Sequence, residues 1–130
     1  MNESKIIIIN GIMLEVFRDG RVWQPAQNMP DGRALRSRWC GVQSKKDSKR
    51  KAYNNRKPQY KLIELYPSKG QRVKCRVHRL VATAFHGLDY YSTMDVDHVN
   101  CDKSDNRASN LRVVTLEENN RLWAEEQSKA

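Results

Sequence analysis

Apolar residues in the first half of this chain fall in short runs broken by turn residues, a pattern that predicts strands rather than long helices. Ile6-Ile7-Ile8-Ile9 is bounded by Asn10-Gly11 and reads as a strand. Leu14 to Phe17 and Arg21 to Gln24 flank Asp19-Gly20, as in a hairpin, and a further strand is expected near Leu35 to Val42. Tyr60 to Tyr66 and Arg72 to Val77, around Ser68-Lys69-Gly70, predict a second hairpin. The period then lengthens. Leu80, Val81, Ala84 and Phe85 make one stripe of a helix from Val77 to Phe85, expected to pack on the second hairpin and on Trp123. Gly87 to Thr93 links this helix to the C-terminal third of the chain.

The C-terminal stretch MDVDHVNCDKSDNRASNLRVVTLEENN carries the chemistry. Met94 to His98 alternates apolar and polar, which suits a short strand whose end delivers Asp97 and His98 into a cleft. Asn100 to Asn110 has no apolar run and reads as a loop, and Leu111 to Val114 is a short returning strand. Thr115-Leu116-Glu117-Glu118 is a capping-box signature for a helix start. Leu116, Asn119 or Asn120, and Trp123 share helical spacing, so one face is expected to pack inward while Asn119, one turn in, looks back at the hairpin. A carboxylate, an imidazole and two amides thus recur at intervals that a strand, loop, strand and helix can fold around one divalent metal ion.

These residues resemble the HNH, or ββα-metal, nucleases. Arg76-Val77-His78-Arg79-Leu80-Val81-Ala82-Thr83-Ala84-Phe85 resembles the helix that precedes the hairpin in phage and intron-encoded HNH homing endonucleases. Asp97-His98, Asp105-Asn106-Arg107, Asn110-Leu111-Arg112 and Thr115 to Asn119 follow that subfamily's signature in order, and the likeness runs from Tyr60 to Trp123. Leu14 to Trp23 is more weakly similar to a strand-turn-strand of the same proteins. One departure is Asn119, where many relatives place His; it implies an amide oxygen as the metal ligand.

The resemblance implies roles that phosphodiester hydrolysis explains. Asp97 and Asn119 would hold one Mg²⁺ or Mn²⁺, a hard cation served by oxygen ligands. His98 would be the general base, because imidazole titrates near neutrality. Asn110 would accept a hydrogen bond from one ring nitrogen and aim the other. Asn106 reads as a loop brace and His78 as structural support. His86, at a helix end before Gly87, is not expected to be a ligand.

Charge sharpens the partner. The net charge is +9, yet between Arg33 and Lys61 eleven bases face Asp47 alone, and from Asp89 onward nine acids outnumber five bases. Arg33, Arg36, Arg38, Lys45, Lys46, Lys49, Arg50, Lys51, Arg56 and Lys57, with Arg79, Arg107 and Arg112, are the expected DNA contacts. Most of the first ten lie in or beside a polar loop, Ser44 to Pro58. Cys40, Cys75 and Cys101 stand singly, which argues against a disulfide framework and a structural zinc. No apolar run is long enough for a membrane span, and an intracellular, cytoplasmic protein is expected, in a phage-infected bacterial host if the likeness holds.

The expected fold is α+β: N-terminal antiparallel hairpins and a helix, then the nuclease hairpin and helix. Residues 1–76 would form a β-rich DNA-binding region with a basic loop at 33–61, and residues 77–130 the HNH core. The function implied is a metal-dependent endonuclease that nicks DNA or cuts both strands, as monomer or homodimer. The competing reading is a non-catalytic nucleic-acid-binding module with the same fold; RNA as substrate stays open.

Overall fold

The computed structural model of the protein describes residues 3–41 and 61–128. Lys45, Lys46, Lys49, Arg50, Lys51, Arg56 and Lys57 lie outside them, as do Val42 and Tyr60 at the ends of two expected strands. Among the described residues the order is β1 (Ser4–Ile9), β2 (Ile12–Phe17), β3 (Val22–Gln24), β4 (Gln27–Asn28), β5 (Ala34–Leu35), β6 (Arg38–Cys40), β7 (Leu62–Ser68), β8 (Gln71–Arg76), α1 (Val77–Phe85), β9 (Asp95–His98), β10 (Leu111–Val114) and α2 (Leu116–Ser128). The class is α+β, as the sequence pattern indicates.

β1, β2, β3 and β6 form an antiparallel sheet in that order. Its first hairpin turns at Asn10 and Gly11, both with positive φ (49° and 80°), the backbone that a tight hairpin demands. The run expected near Leu35 to Val42 is interrupted: β5 pairs with β4, whereas β6 pairs with β3. The Gln24 side-chain amide donates to Arg36 O (3.2 Å) at this break, so the corner is held by a buried polar side chain.

α1 is the hub, touching β1, β2, β8, β9 and β10. Leu80, Val81 and Ala82 are fully buried among Ile9, Leu14, Val16, Leu65, Val96, Ala108 and Leu111, so one core joins the N-terminal sheet to the β9–β10 hairpin. Removing a fully buried Leu or Val side chain from water is worth roughly 1.5–3 kcal/mol each. Gly87, at φ 71°, ends the helix in the left-handed region that only glycine adopts freely, and Leu88 N–H returns to Ala82 O.

Candidate active site

β9 and β10 pair antiparallel with Leu111 opposite His98 and Arg112 opposite Asp97. Alternation along β9 buries Val96 and His98 on one face and leaves Asp95 and Asp97 half-buried on the other. The metal-ligand candidate and the base candidate are therefore adjacent in sequence and opposed in direction. Thr115 Oγ1 accepts Glu118 N–H (3.1 Å), so the expected cap does start α2, and Asn119 comes one turn in.

Asp97, His98 and Asn119 line one open cleft of about 650 Å³, together with Lys103, Arg112 and Trp123. Asn119 donates its amide N–H to Asp95 Oδ2 (3.1 Å), which sets the orientation of the amide and leaves its Oδ1 for another partner. Asp95 is a residue that sequence reasoning missed. Its only signal was its place two residues before Asp97 on the same strand face.

Asp97 receives Arg112 through Nε (2.8 Å) and a terminal guanidinium nitrogen (2.7 Å), both on Oδ2. Among the described residues no three His, Cys, Asp or Glu side chains cluster as a metal site. The donors present, one carboxylate and one amide oxygen, fit a hard cation only as an open site in which water and a substrate oxygen complete the shell. Arg112 occupies part of that carboxylate.

His98 is buried, and its Nε2 lies 2.8 Å from Asn106 Oδ1. This corrects the expectation that Asn110 holds the ring. Asn110 instead closes the loop: its Oδ1 accepts Asn100 N–H (3.1 Å), and its Nδ2 donates to Asn100 Oδ1 and Asp105 O (both 2.9 Å). The loop's own unpaired backbone claims Asn110, and the turn through Asp102 and Asp105 brings Asn106 over the imidazole. Asp105 is held well below the usual carboxylate range, first by its hydrogen bonds from Arg107. Asp102 is lowered by the hydroxyl and backbone N–H of Ser104.

His78 lies under His98, ring centroids 5.2 Å apart. Burial, then the neighbouring His98, Arg76 and Arg79, push its pKa down to about 3, so it stays neutral and supports the ring above it. His86 Nε2 meets Ala108 O at 2.7 Å and ties the helix end to the loop.

Several expected DNA contacts are committed elsewhere. Arg79, placed among them by its charge, binds the carbonyls of Met94, Tyr90 and Ser92 (2.7, 2.9 and 3.1 Å) and anchors the segment leading to β9. Arg33 pairs with Asp31 and reaches Tyr66 O, and Arg38 reaches Glu64 O, so both stitch the N-terminal strands to β7. Arg107 is paired with Asp105 but stays 62% exposed, and Arg36 is exposed. Trp123 and Leu116 are 64% and 61% exposed, against the expected inward packing. Among the described strands α2 is held chiefly by β9, and Trp123 stands at the cleft.

A family model described as HNH endonuclease matches residues 75–121. That segment is similar to the HNH endonucleases. It spans α1 and the β9–β10–α2 unit as far as Arg121, and thus every candidate site residue of the cleft except Trp123. A solved structure titled "DNA binding and cleavage by the HNH homing endonuclease I-HmuI" is similar to the chain at 25% identity with a TM-score of 0.58. The similarity covers 95% of this chain and 59% of that one, so the HNH segment and its N-terminal sheet together span about three fifths of that enzyme's chain. No curated protein matches the sequence.

Proposed function

We propose that the chain is a metal-dependent HNH endonuclease of the homing type, hydrolysing phosphodiester bonds of DNA. The observation that carries this is the convergence of Asp97, His98 and Asn119 on one open cleft within the HNH segment. DNA as the partner follows from the basic stretch in the sequence and from what the solved relative is titled to bind and cleave.

His98 acts as general base. Asn106 Oδ1 can only accept, so the neutral ring carries its proton on Nε2 and Nδ1 takes the proton from the attacking water. Asp97 and the Asn119 carbonyl oxygen would hold one Mg²⁺ or Mn²⁺, with Asp95 fixing the Asn119 amide. Bound there, the cation would relieve charge on the phosphate oxygens and on the departing sugar oxygen. Lys103 and Arg112 on the cleft wall, with Arg36, Arg107 and the basic residues from Lys45 to Lys57, supply the phosphate contacts. Arg33, Arg38 and Arg79 serve the fold. One such site cuts one strand, so nicking is the elementary activity, in a phage-infected bacterial cytoplasm.

The test is supercoiled plasmid incubated with the protein and Mg²⁺ or Mn²⁺, scored for open-circle product. Nicking abolished by EDTA supports the proposal. The Asp97–Arg112 ion pair is the observation that favours a non-cleaving module; salt-sensitive DNA binding without cleavage on any DNA would decide for that reading.

A further inference from the structure

The turn between β2 and β3 lies against the loop that carries Asn106, and we propose that this turn positions His98, with Gly20 the residue whose missing side chain lets Asn106 reach the imidazole. The proposal rests on the nuclease reading of His98. Asn106 is 86 residues from Gly20 in sequence, and the two meet only in the fold.

Four observations carry it. Gly20 has φ +96°, and a Cβ placed on it would lie 3.0 Å from Asn106 O and 3.1 Å from both its carbonyl carbon and its Cβ, tighter than most packed Cβ contacts, so Asn106 would have to give way by a few tenths of an ångström. The same turn grips the loop two residues on, where Ala108 N–H donates to Arg18 O at 2.8 Å. From the other side His86 holds Ala108 O, so residues 106–108 sit between the N-terminal turn and the end of α1. Finally, the Asn106 amide makes its bond to His98 through Oδ1, while its buried Nδ2 has no hydrogen-bond partner among the described residues. Nothing at the far end of the amide fixes its aim. Its backbone does, and Gly20 is what that backbone rests on.

The turn is itself stiff. Gly20 N–H donates to Phe17 O and Phe17 N–H to Arg21 O (both 2.9 Å), while Asp19 accepts both the backbone N–H and Nε of Arg21. A side chain at position 20 must therefore push Asn106 rather than deform the turn. A displaced Asn106 loses the 2.8 Å contact and, with it, the Nε2-protonated form of His98. Gly20 is in this sense a positioning residue in the N-terminal sheet for a base in the C-terminal hairpin.

Gly11 provides the control. It has φ +80° in the β1–β2 turn, yet a Cβ there meets nothing within 4 Å. Gly11→Ala and Gly20→Ala both strain a left-handed turn position, but only the second touches Asn106. The experiment measures plasmid nicking and side-chain ¹⁵N spectra of His98 in the full chain. The expected result is a kcat about ten- to a hundredfold lower for Gly20→Ala at unchanged KM, a Gly11→Ala enzyme within about twofold of the parent, and loss of the Nε2–H signature of His98 in Gly20→Ala alone. Asn106→Ala, which leaves the turn intact, should reproduce the spectral change should Gly20→Ala not fold. An unchanged His98 spectrum in Gly20→Ala, or in Asn106→Ala in its place, overturns the proposal, as does an equal fall in kcat for Gly11→Ala. A parent protein that never cuts DNA refutes the nuclease reading instead, and the spectra still decide whether the turn holds the ring.

Discussion

Arg112 faces Asp97 directly across the β9–β10 ladder, and two of its guanidinium nitrogens settle on the same carboxylate oxygen, at 2.8 and 2.7 Å. A divalent cation bound by Asp97 has to compete with that ion pair. Both side chains are partly exposed, 44% for Arg112 and 25% for Asp97, so the pair is worth on the order of 0.2–1 kcal/mol after screening. Arg112→Gln should therefore tighten Mn²⁺ binding by about two- to fivefold in calorimetry while weakening DNA binding. An unchanged or weaker Mn²⁺ affinity would show that the pair does not oppose the metal.

His78 makes stability depend on pH. Its folded pKa is depressed by burial to about 3, from an ordinary value of 6.5, so below pH 6.5 the unfolded chain binds a proton that the folded one refuses. Stability from this group is complete above pH 6.5 and is lost progressively as pH falls toward 3. The carboxylates of Asp31, Asp102 and Asp105, all lowered by hydrogen-bonding neighbours, act in the same direction but only below the ordinary carboxylate range. The midpoint of thermal unfolding should fall between about pH 6.5 and 4.5, and His78→Gln should flatten that slope. A slope that persists in the variant assigns the effect to another group.

Arg79 separates a structural from a DNA-binding arginine. Arg79→Met leaves three carbonyls without their donor, at a cost of about 2–3 kcal/mol in urea unfolding. The salt dependence of DNA binding should be unchanged. A stable variant whose salt slope drops by about one would reverse the assignment.

Trp123 is 64% exposed at the cleft. Trp123→Ala should shift stability by no more than about 0.5 kcal/mol, the usual range for a surface change. A loss several times larger would mean that the indole is part of the core after all.

What could be read from the sequence was local. The strand-loop-strand-helix unit was legible because its marks are short-range: the alternation that buries His98, the polar loop, and Thr115 capping a helix whose second turn begins near Asn119. The α1 stripe was legible for the same reason, and Leu80 and Val81 are fully buried as it requires. What escaped depends on partners far along the chain. Charge marked Arg33, Arg38 and Arg79 as DNA contacts, but their acceptors are carbonyls of residues 11 to 33 positions away. Trp123 has the spacing of a core residue, yet it stands 64% exposed at the cleft, because among the described elements α2 is held chiefly by β9. Spacing alone could not choose between Asn106 and Asn110 as partner of His98, since which amide the ring meets is set by how the loop turns back on the Arg18–Gly20 turn.

If His98 takes the proton while Asp97 and Asn119 hold the metal, the two roles are separable by substitution. Single-turnover nicking of supercoiled DNA by the parent, His98→Ala and Asp97→Asn, with Mn²⁺ binding followed on the same samples, separates them. Cleavage should be lost in both variants, with Mn²⁺ affinity kept in His98→Ala and lost in Asp97→Asn. Full cleavage by His98→Ala would remove the imidazole from the chemistry and refute this division of roles.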